Sequence, residues 1–309
     1  MIIMSLSKEE QKILEHSGYR FVGQHGHAAC KICHWTRESI VNRGVCYKQK
    51  FYGIESHRCL QMSPAVPFCQ QKCSFCWRDL SLTETEWSGS WDDPETIIDE
   101  AVKAHNLLLC GYYGNDKADK KKLEELKQPT NAAISLAGEP TLYPEIDGLI
   151  GEFNHRGFST FLVSNGQYYK KLENLTNEPT QTYLSLDAPN SKIYKSLCNP
   201  QINDGWDNLN KSLNILNGFS NNTAIRITMV KGKNMTSPED YAKLIEIADP
   251  TYVEVKAYMC VGSSRERLTL DNMPTYNEVK DFASKIGSYC GRKVTDGSEV
   301  SRVVLLTKE

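Results

Sequence analysis

The sequence predicts an α/β fold, a partial TIM-like barrel of six βα units preceded by an N-terminal extension. After about residue 94, short runs rich in β-branched residues alternate with helical patterns. Such alternation predicts a parallel sheet with right-handed crossovers. Six units favour a partial barrel, although an open doubly wound sheet fits the same alternation. Residues 1–57 lack this rhythm, so we assign them to the extension and residues 58–309 to the core.

Six strands are predicted in chain order, the first just before a cysteine-rich loop and the others between helical patterns. They cover residues around 58–66, then 132–136, 160–164, 182–186, 224–230 and 252–257. Between them, apolar residues recur at the spacing of a helix face, as at Leu209, Leu213 and Leu216. Three prolines with acidic neighbours each predict a first helical turn, namely Pro94, Pro144 and Pro238.

The composition indicates an ordinary globular protein. The 309 residues are 40% hydrophobic and 24% charged, which excludes an intrinsically disordered chain. The net charge of -2 argues against a protein wholly devoted to nucleic acid. The apolar start of the chain ends before Lys8, and no apolar run approaches the roughly 18 residues that span a bilayer. We therefore expect a cytoplasmic protein without a signal peptide or membrane anchor, and a monomer.

Cysteine is unusually frequent, and its distribution points to a metal. Of 11 cysteines, seven lie between Cys30 and Cys76, a clustering that disulfides explain poorly in a cytoplasmic chain. The sharpest pattern is the C-x3-C-x2-C spacing of Cys69, Cys73 and Cys76. Three thiolates on one short loop can hold three corners of a [4Fe–4S] cluster and leave the fourth iron open. A zinc site or a plain loop is the alternative.

This spacing resembles that of the radical S-adenosyl-L-methionine (SAM) superfamily. The resemblance implies that the amino and carboxylate groups of SAM chelate the open iron. Reductive cleavage of the sulfonium C–S bond then yields a 5'-deoxyadenosyl radical. The cofactor supplies the chemistry of this step, and the protein binds and orients it. We expect Phe75, just before the last cysteine of the motif, to pack near the adenine of SAM.

Polar residues at the carboxyl ends of predicted strands support a SAM site, since ligands of α/β folds bind at that edge. Residues 137–140 follow one strand and resemble the Gly-Gly-Glu motif of the superfamily, with Ala137 in place of the first glycine. The resemblance implies that this segment holds the SAM ammonium group. The candidate SAM-binding residues are Gly138, Glu139, Asn165, Ser185, Asp187 and Arg226. Turn formation by the short polar residues and a surface position for Arg226 are the alternatives.

Three further cysteines, Cys33, Cys46 and Cys59, are widely and regularly spaced upstream. Their spacing suits three ligands delivered from separate loops. Together with Cys30 they could equally make a structural zinc site with four cysteine ligands. From the residues alone, both possibilities stay open.

The chain as a whole resembles the archaeal tRNA 4-demethylwyosine synthase family. The resemblance rests on residues 46–54, 56–59, 73–78, 133–136, 138–144, 164–166, 255–259 and 301–305. It implies a second [4Fe–4S] cluster on Cys33, Cys46 and Cys59, with Cys30 outside the triplet, and a wyosine-formation segment around residues 229–290. It also implies a radical SAM enzyme of the carbon–carbon lyase class that builds 4-demethylwyosine on tRNA, a step of wyosine and wybutosine biosynthesis.

The same resemblance implies the reaction partners. The substrates are N1-methylguanosine at position 37 of tRNA-Phe and pyruvate, which supplies two carbons to the third ring of the base. The chain leaves no room for the flavodoxin-like domain of eukaryotic members, so we expect an external low-potential electron donor of the flavodoxin or ferredoxin type. Lys48, two residues after Cys46, is implied as a Schiff-base partner for pyruvate. Phosphate binding or a solvent-facing position is the alternative for this lysine.

A basic stretch near the upstream triplet predicts contact with tRNA. Residues 31–50 contain five Lys and Arg residues against Glu38 alone, and together with Arg78 they could meet tRNA phosphates. The interleaved aromatic residues could stack on a splayed base or pack in a small core; they are Trp35, Tyr47, Phe51 and Tyr52.

Two rival functions fit parts of the pattern. One is another radical SAM reaction, such as glycyl-radical activation or a different tRNA modification. The other is a zinc-stabilised RNA-binding module without redox chemistry.

Overall fold

The computed structural model describes residues 5–308, so the first four residues of the apolar N-terminus lie outside it. The chain forms two compact units. The first comprises the described residues up to Phe68 together with Glu86–Val163 and Thr176–Thr180, and the second comprises Cys69–Thr85, Ser164–Leu175 and the residues from Gln181 onward. No helix within residues 5–308 is long and apolar enough to cross a membrane.

The first unit contains helices and strands in alternation after an N-terminal hairpin. In chain order they are α1 (Lys8–His16), β1 (Tyr19–Val22), β2 (Ala28–Lys31), α2 (His34–Ile40), α3 (Tyr47–Tyr52), β3 (Cys59–Ser63), α4 (Pro94–Leu109), α5 (Lys120–Glu125), β4 (Asn131–Ile134), α6 (Ile146–His155) and β5 (Ser159–Ser164). Strands β3, β4 and β5 are parallel, and the antiparallel hairpin of β1 and β2 is added beside β3. The hairpin therefore extends the sheet of the first unit.

Helix capping explains where α4 begins, whereas the prediction made from Pro144 is wrong. The Asp93 carboxylate accepts a hydrogen bond from the Thr96 amide at 2.9 Å, and Pro94 occupies the first turn of α4, as predicted. Pro144, by contrast, is not in a first turn, because α6 begins only at Ile146. A short 3-10 helix over Pro140–Leu142 precedes it, so the intervening residues are used to turn the chain into α6.

The second unit continues the alternation and ends in an antiparallel hairpin. Its elements are α7 (Tyr169–Glu173), β6 (Gln181–Ser185), α8 (Ser191–Cys198), α9 (Gly205–Leu216), β7 (Asn222–Met229), α10 (Pro238–Ala248), β8 (Tyr252–Ala257), α11 (Tyr276–Tyr289), β9 (Arg292–Ser298) and β10 (Val303–Lys308). Strands β6, β7 and β8 are parallel, and β10 pairs antiparallel with both β8 and β9. Pro238 begins α10, as predicted.

The six parallel strands β3 to β8 are those that the sequence predicts, with boundaries that differ by a few residues. The helical repeat of Leu209, Leu213 and Leu216 forms the buried face of α9. The hairpins at the two ends of the chain were not predicted. The boundary between residues 57 and 58 stays a prediction, as does the wyosine-formation segment around 229–290.

Candidate active site

A loop over residues 69–77 in the second unit carries the C-x3-C-x2-C motif. It runs antiparallel to residues 197–201: the Ser74 amide donates to the Leu197 carbonyl at 2.9 Å, and the Lys72 amide donates to the Asn199 carbonyl at 3.1 Å. Cys73 thereby lies across from the buried Cys198. Hydrogen bonds therefore hold the backbone that carries the three cysteines.

The three thiols of this motif have polar neighbours. Cys69 is buried, whereas Cys73 and Cys76 are half-buried. The Asn165 amide nitrogen lies 3.7 Å from the Cys69 sulfur, and the Gln71 side-chain oxygen lies 3.3 Å from the Cys73 sulfur. The Asn165 amide suits a cluster, since hydrogen bonds donated to ligating sulfurs help to set its reduction potential, whereas the Gln71 oxygen accepts a hydrogen bond from the neutral Cys73 thiol.

The pKa of the Cys73 thiol lies well above its ordinary value. A hydrogen bond to Cys198 is the largest cause, followed by burial and the nearby charges of Cys198, Cys76 and Asp187. A neutral thiol is a poor ligand, and iron would have to bind Cys73 as the thiolate. Iron binding at this loop would therefore be coupled to proton release.

Phe75 packs into an apolar cluster rather than standing alone beside the cysteines. The cluster of buried side chains comprises Leu197, Val230, Tyr258, Cys260 and Leu268, and Phe75 and Met273 pack against it. This contact anchors the middle of the motif loop. The predicted contact between Phe75 and the adenine stays a prediction.

In the first unit, residues 137–140 form a tight backbone turn. Gly138 has φ +70°, and a Cβ at this position would collide with the Ala65 carbonyl oxygen, so the motif requires glycine. The Glu139 amide donates to the Phe68 carbonyl at 2.6 Å, and the buried Glu139 carboxylate accepts hydrogen bonds from the amide and hydroxyl groups of Thr141. The Glu139 side chain thus caps the following 3-10 helix.

The carboxyl ends of β6, β7 and β8 place the predicted SAM-binding residues Ser185 and Arg226 on the same face as three residues for which no role was predicted. Strand register places Arg226 between Ser185 and Glu254, and it pairs Thr228 with Lys256. Because side chains alternate along a strand, these five residues share a face. Ser185, Arg226, Thr228 and Lys256 are half-buried and Glu254 is buried, so the role of Arg226 in binding SAM stays a prediction.

Asp187 follows β6 and is buried. Its carboxylate accepts a hydrogen bond from the Thr228 amide at 2.6 Å. Burial raises the pKa of Asp187 to about 6, against the opposing effects of the hydrogen bonds from Thr228 and the charge of Arg226. Asp187 therefore ties β6 to β7 close to the candidate SAM-binding residues Ser185 and Arg226.

Sequence reasoning assigned no role to the acidic and basic residues of β8. Glu254 is completely buried and accepts a hydrogen bond from the Tyr183 hydroxyl at 3.0 Å, and Lys256 lies two residues further on the same face. The sequence did contain a pattern that could have identified them, because charged residues stand at alternate positions of the predicted strand. This spacing places both charges on one face of the sheet.

The upstream triplet lies within the first unit. Cys33 and Cys46 are the residues that precede α2 and α3, and Cys59 begins β3. Burial raises the pKa of the Cys59 thiol, the nearby charges of Cys33 and Cys46 raise it further, and the charge of Lys48 lowers it. The structure thus brings the three cysteines and Lys48 close enough to interact electrostatically.

Cys30 has different surroundings. It lies in β2 between Arg20 of β1 and Met62 of β3, almost fully buried. Burial raises the pKa of its thiol to about 12. The placement of Cys30 outside the upstream ligand set stays a prediction.

Lys48 lies on α3 and is buried. Its ammonium group stands 4.7 Å from the centre of the Phe161 ring, a cation–π contact. A buried lysine beside an aromatic ring contradicts the alternative in which Lys48 faces solvent.

The basic stretch is partly exposed. Arg37 and Arg43 are exposed on and just after α2, and Arg43 forms an ion pair with Glu38 at 2.8 Å. Tyr47 is buried and packs edge-to-face on Phe51, with ring centres 5.5 Å apart. Tyr47 therefore belongs to the core.

Arg78 does not extend the exposed basic surface. Its side chain is buried, with 7% exposure, because the residue follows directly on the half-buried motif loop. The expectation that Arg78 meets tRNA phosphates is wrong.

Two family models match successive parts of the chain. A model of the radical SAM superfamily matches residues 63–245, and a model described as wyosine base formation matches residues 247–308. These matches define a radical SAM enzyme and confirm the predicted class.

Similar proteins are named consistently. The chain is 46% identical to the S-adenosyl-L-methionine-dependent tRNA 4-demethylwyosine synthase of Pyrococcus horikoshii, over 99% of this chain and 90% of that protein. It is 38% identical to the protein of the same name from Methanocaldococcus jannaschii, over 98% and 97% of the two chains. The chain belongs to the tRNA 4-demethylwyosine synthase family.

Solved structures agree with this assignment. A structure of TYW1 with a lysine-pyruvate adduct bound is 38% identical, with a TM-score of 0.89 over 99% of this chain and 97% of that one. A crystal structure of archaeal TYW1 is 34% identical, with a TM-score of 0.80 over 98% and 96%. The predicted fold class, a partial barrel of the radical SAM type, is confirmed, and the rival of a zinc-stabilised module is wrong.

Proposed function

We propose that this chain condenses N1-methylguanosine at position 37 of tRNA-Phe with pyruvate to form 4-demethylwyosine. The observation that carries the proposal is the buried Lys48 beside the upstream triplet, in a chain that matches a TYW1 structure holding a lysine-pyruvate adduct. Pyruvate has three carbons and supplies two, so one carbon–carbon bond of pyruvate breaks. The enzyme therefore belongs to the carbon–carbon lyases.

The downstream triplet suits the cluster that binds SAM. Cys69, Cys73 and Cys76 offer three thiolates, and Asn165 offers a hydrogen bond to the first sulfur, which fits a [4Fe–4S] group with one open iron. When bound, the cluster and SAM supply an electron and a carbon radical able to abstract hydrogen. The protein holds the motif loop fixed through the antiparallel contacts with residues 197–201.

The remaining SAM contacts are assigned by position. Gly138 and Glu139 offer backbone atoms for the SAM ammonium group, and one oxygen of the Glu139 carboxylate already accepts hydrogen bonds from Thr141. Arg226 is a half-buried cation suited to the SAM carboxylate. Ser185 and Asp187 offer acceptors for the ribose hydroxyls.

The upstream triplet suits a second [4Fe–4S] cluster that holds pyruvate. Cys33, Cys46 and Cys59 would hold it and leave one iron without a protein ligand, which could bind the carboxylate and, until the Schiff base forms, the keto oxygen of an α-keto acid. Lys48 acts on the same substrate: its amine adds to the keto carbon and water leaves, forming a Schiff base. Fixing pyruvate in this way makes its encounter with the substrate radical effectively unimolecular.

The partners follow from this chemistry. The exposed Arg37 and Arg43 offer positive charge for the phosphates of the tRNA. An external low-potential donor, of flavodoxin or ferredoxin type, supplies the electron for SAM cleavage. We propose a monomer that acts in the cytoplasm, where its tRNA substrate is found.

An anaerobic assay tests the proposed function. The reconstituted protein is mixed with tRNA-Phe that carries N1-methylguanosine, SAM, a reductant and uniformly 13C-labelled pyruvate, and the tRNA nucleosides are analysed by mass spectrometry. We expect 4-demethylwyosine with two labelled carbons. A reaction that forms 5'-deoxyadenosine but leaves N1-methylguanosine unchanged would exclude the proposed function.

A further inference from the structure

The motif loop is held on a second side by a segment that no cysteine spacing indicates. The Arg267 side chain donates from Nε to the Ser74 carbonyl at 3.2 Å and from an Nη nitrogen to the Cys76 carbonyl at 2.5 Å. Both acceptors belong to the cysteine motif, and Cys76 is itself a proposed ligand. One guanidinium group therefore bridges the last turn of the loop.

Two further contacts join the same segment to the loop. The Ser263 amide donates to the Trp77 carbonyl at 2.9 Å. Gly262 has φ +57°, and a Cβ on it would collide with that carbonyl oxygen. Residues 262–267 therefore follow the backbone of residues 74–77 closely, and the approach depends on glycine.

Apolar packing also holds the motif loop at Phe75, between the two residues whose carbonyl groups accept from Arg267. Phe75 packs against an apolar cluster that includes Tyr258, Cys260 and Leu268, which flank the 262–267 segment in sequence. The Arg267 side chain is 24% exposed, so it is reachable from solvent. The planar fork of an arginine can serve two acceptors at once, whereas a lysine ammonium lacks this fixed geometry.

We propose that Arg267 is a positioning residue for the SAM-binding cluster and acts through the carbonyl groups of Ser74 and Cys76. Its contact fixes Cys76, and hence the orientation of the cluster toward SAM, from the part of the chain that matches the wyosine-formation model. The proposal rests on the proposed function, because it requires that Cys69, Cys73 and Cys76 hold the cluster.

The sequence distance explains why the link matters. Arg267 and Cys76 are separated by 191 residues, and they lie in parts matched by two different family models. The wyosine-formation part thus contributes directly to the geometry of the radical-forming loop. Catalysis is sensitive to such geometry, since displacements of about 1 Å can cost roughly a hundredfold in rate.

Arg267→Ala, Arg267→Lys and the control Arg265→Ala test the proposal. Arg265 lies in a short 3-10 helix over Gly262–Glu266, which ends just before Arg267. It is exposed and donates to the Cys260 carbonyl rather than to residues 74–77. The measurements are iron content, the electron paramagnetic resonance spectrum of the reduced cluster with and without SAM, and the rate of 5'-deoxyadenosine formation. Circular dichroism reports whether each variant is folded.

We expect Arg267→Ala to keep its iron, to lose the SAM-induced change of the spectrum, and to form 5'-deoxyadenosine about tenfold more slowly or worse. The spectral change and the rate of Arg267→Lys should lie between those of Arg267→Ala and those of the wild type. Arg265→Ala should match the wild type in both measurements. Millimolar guanidinium should restore part of the spectral change to Arg267→Ala, because the site is reachable from solvent.

An unchanged spectrum and rate in Arg267→Ala would overturn the proposal, as would an equal effect in Arg265→Ala. If Arg267→Ala does not fold, Arg267→Lys decides: wild-type behaviour in that variant would overturn the proposal as well. A wild-type protein whose reduced cluster does not respond to SAM would instead contradict the proposed function.

Discussion

The Lys48 ammonium group stands 4.7 Å from the centre of the Phe161 ring in the first unit, and the lysine is 9% exposed. Phe161 lies on β5, beside Ala133 of β4, so a sheet strand holds the ring in place. Lys48 is also close enough to Cys59 to lower the pKa of that thiol. The sheet and the upstream triplet together fix one amine near three thiols.

Lys48→Arg should distinguish the effect of the positive charge at this position from the effect of a nucleophilic amine. Arginine keeps a cation at this position, but it cannot form a Schiff base with pyruvate. Borohydride should trap labelled pyruvate on the wild-type protein and none on Lys48→Arg, while 5'-deoxyadenosine still forms. The exposed Lys50 provides the control, and Lys50→Arg should trap label as the wild type does. Equal trapping in Lys48→Arg would assign the Schiff base to another amine.

Gly138→Ala should destabilise the first unit more than an alanine at another left-handed glycine. Gly157 has φ +78° with open space around its missing Cβ, whereas a Cβ on Gly138 meets the Ala65 carbonyl. Gly157→Ala should cost roughly 1 kcal/mol for the backbone conformation alone. Gly138→Ala should cost about 2 kcal/mol more, because the backbone must also move. Chemical denaturation of both variants measures the difference, and equal midpoints would show that residues 137–140 tolerate a side chain.

Arg37→Ala combined with Arg43→Ala should weaken tRNA binding and flatten its dependence on salt. Each lost phosphate contact lowers the slope of log K against log salt by about 0.7 to 0.9. The ion pair of Arg43 with Glu38 implies that Arg37 contributes the larger share. Lys280→Ala with Lys285→Ala removes the same charge from the exposed face of α11 and should leave the slope unchanged. A slope that is the same in all three proteins would show that α2 does not contact the tRNA.

Buried His105 should make the protein sensitive to acid. It lies on α4 with 1% exposure, and neither ring nitrogen has a hydrogen-bond partner among residues 5–308. Burial lowers the pKa of His105 to about 4, so the folded state keeps the ring neutral while the unfolded chain protonates it near pH 6.5. The unfolded state binds more protons between these two values, and stability is therefore lost as pH falls from about 6.5 to about 4.

His105→Leu measures the size of this effect. The shift corresponds to about 3 kcal/mol at the acid end of the window. The free energy of unfolding of His105→Leu should change less over the same pH range than that of the wild type. Parallel pH profiles for the two proteins would show that other groups cause the acid sensitivity.

Local patterns in the sequence predict the parallel strands and the cysteine motifs, but not the edges of the sheets. Strand β8 has the predicted bounds because its β-branched residues fill a buried strand. Strand β9 contains Lys293, Asp296 and Gly297, which have low strand propensity, and it forms because β10 pairs with it. Propensity is weakest where pairing with a neighbouring strand decides the structure.

In the candidate site, too, local features could be predicted from the sequence and contacts between distant segments could not. The spacing of the cysteines predicts which sulfurs act together, because ligand spacing within a loop is a local property. The contact of Arg267 with Cys76, and the burial of Arg78, depend on how distant segments pack. No periodicity in the sequence carries that information.

The central claim is that the two cysteine triplets hold two clusters with different roles. The most direct test compares Cys73→Ala with Cys46→Ala by iron quantitation and product analysis under anaerobic conditions. The wild type should hold about eight irons per chain, and each variant about four. Cys73→Ala should form no 5'-deoxyadenosine, whereas Cys46→Ala should form it without making the tricyclic base, and Cys30→Ala should behave as the wild type. A wild type with about four irons, or a Cys30→Ala protein that loses the upstream metal as completely as Cys46→Ala, would contradict the assignment of a second cluster to Cys33, Cys46 and Cys59.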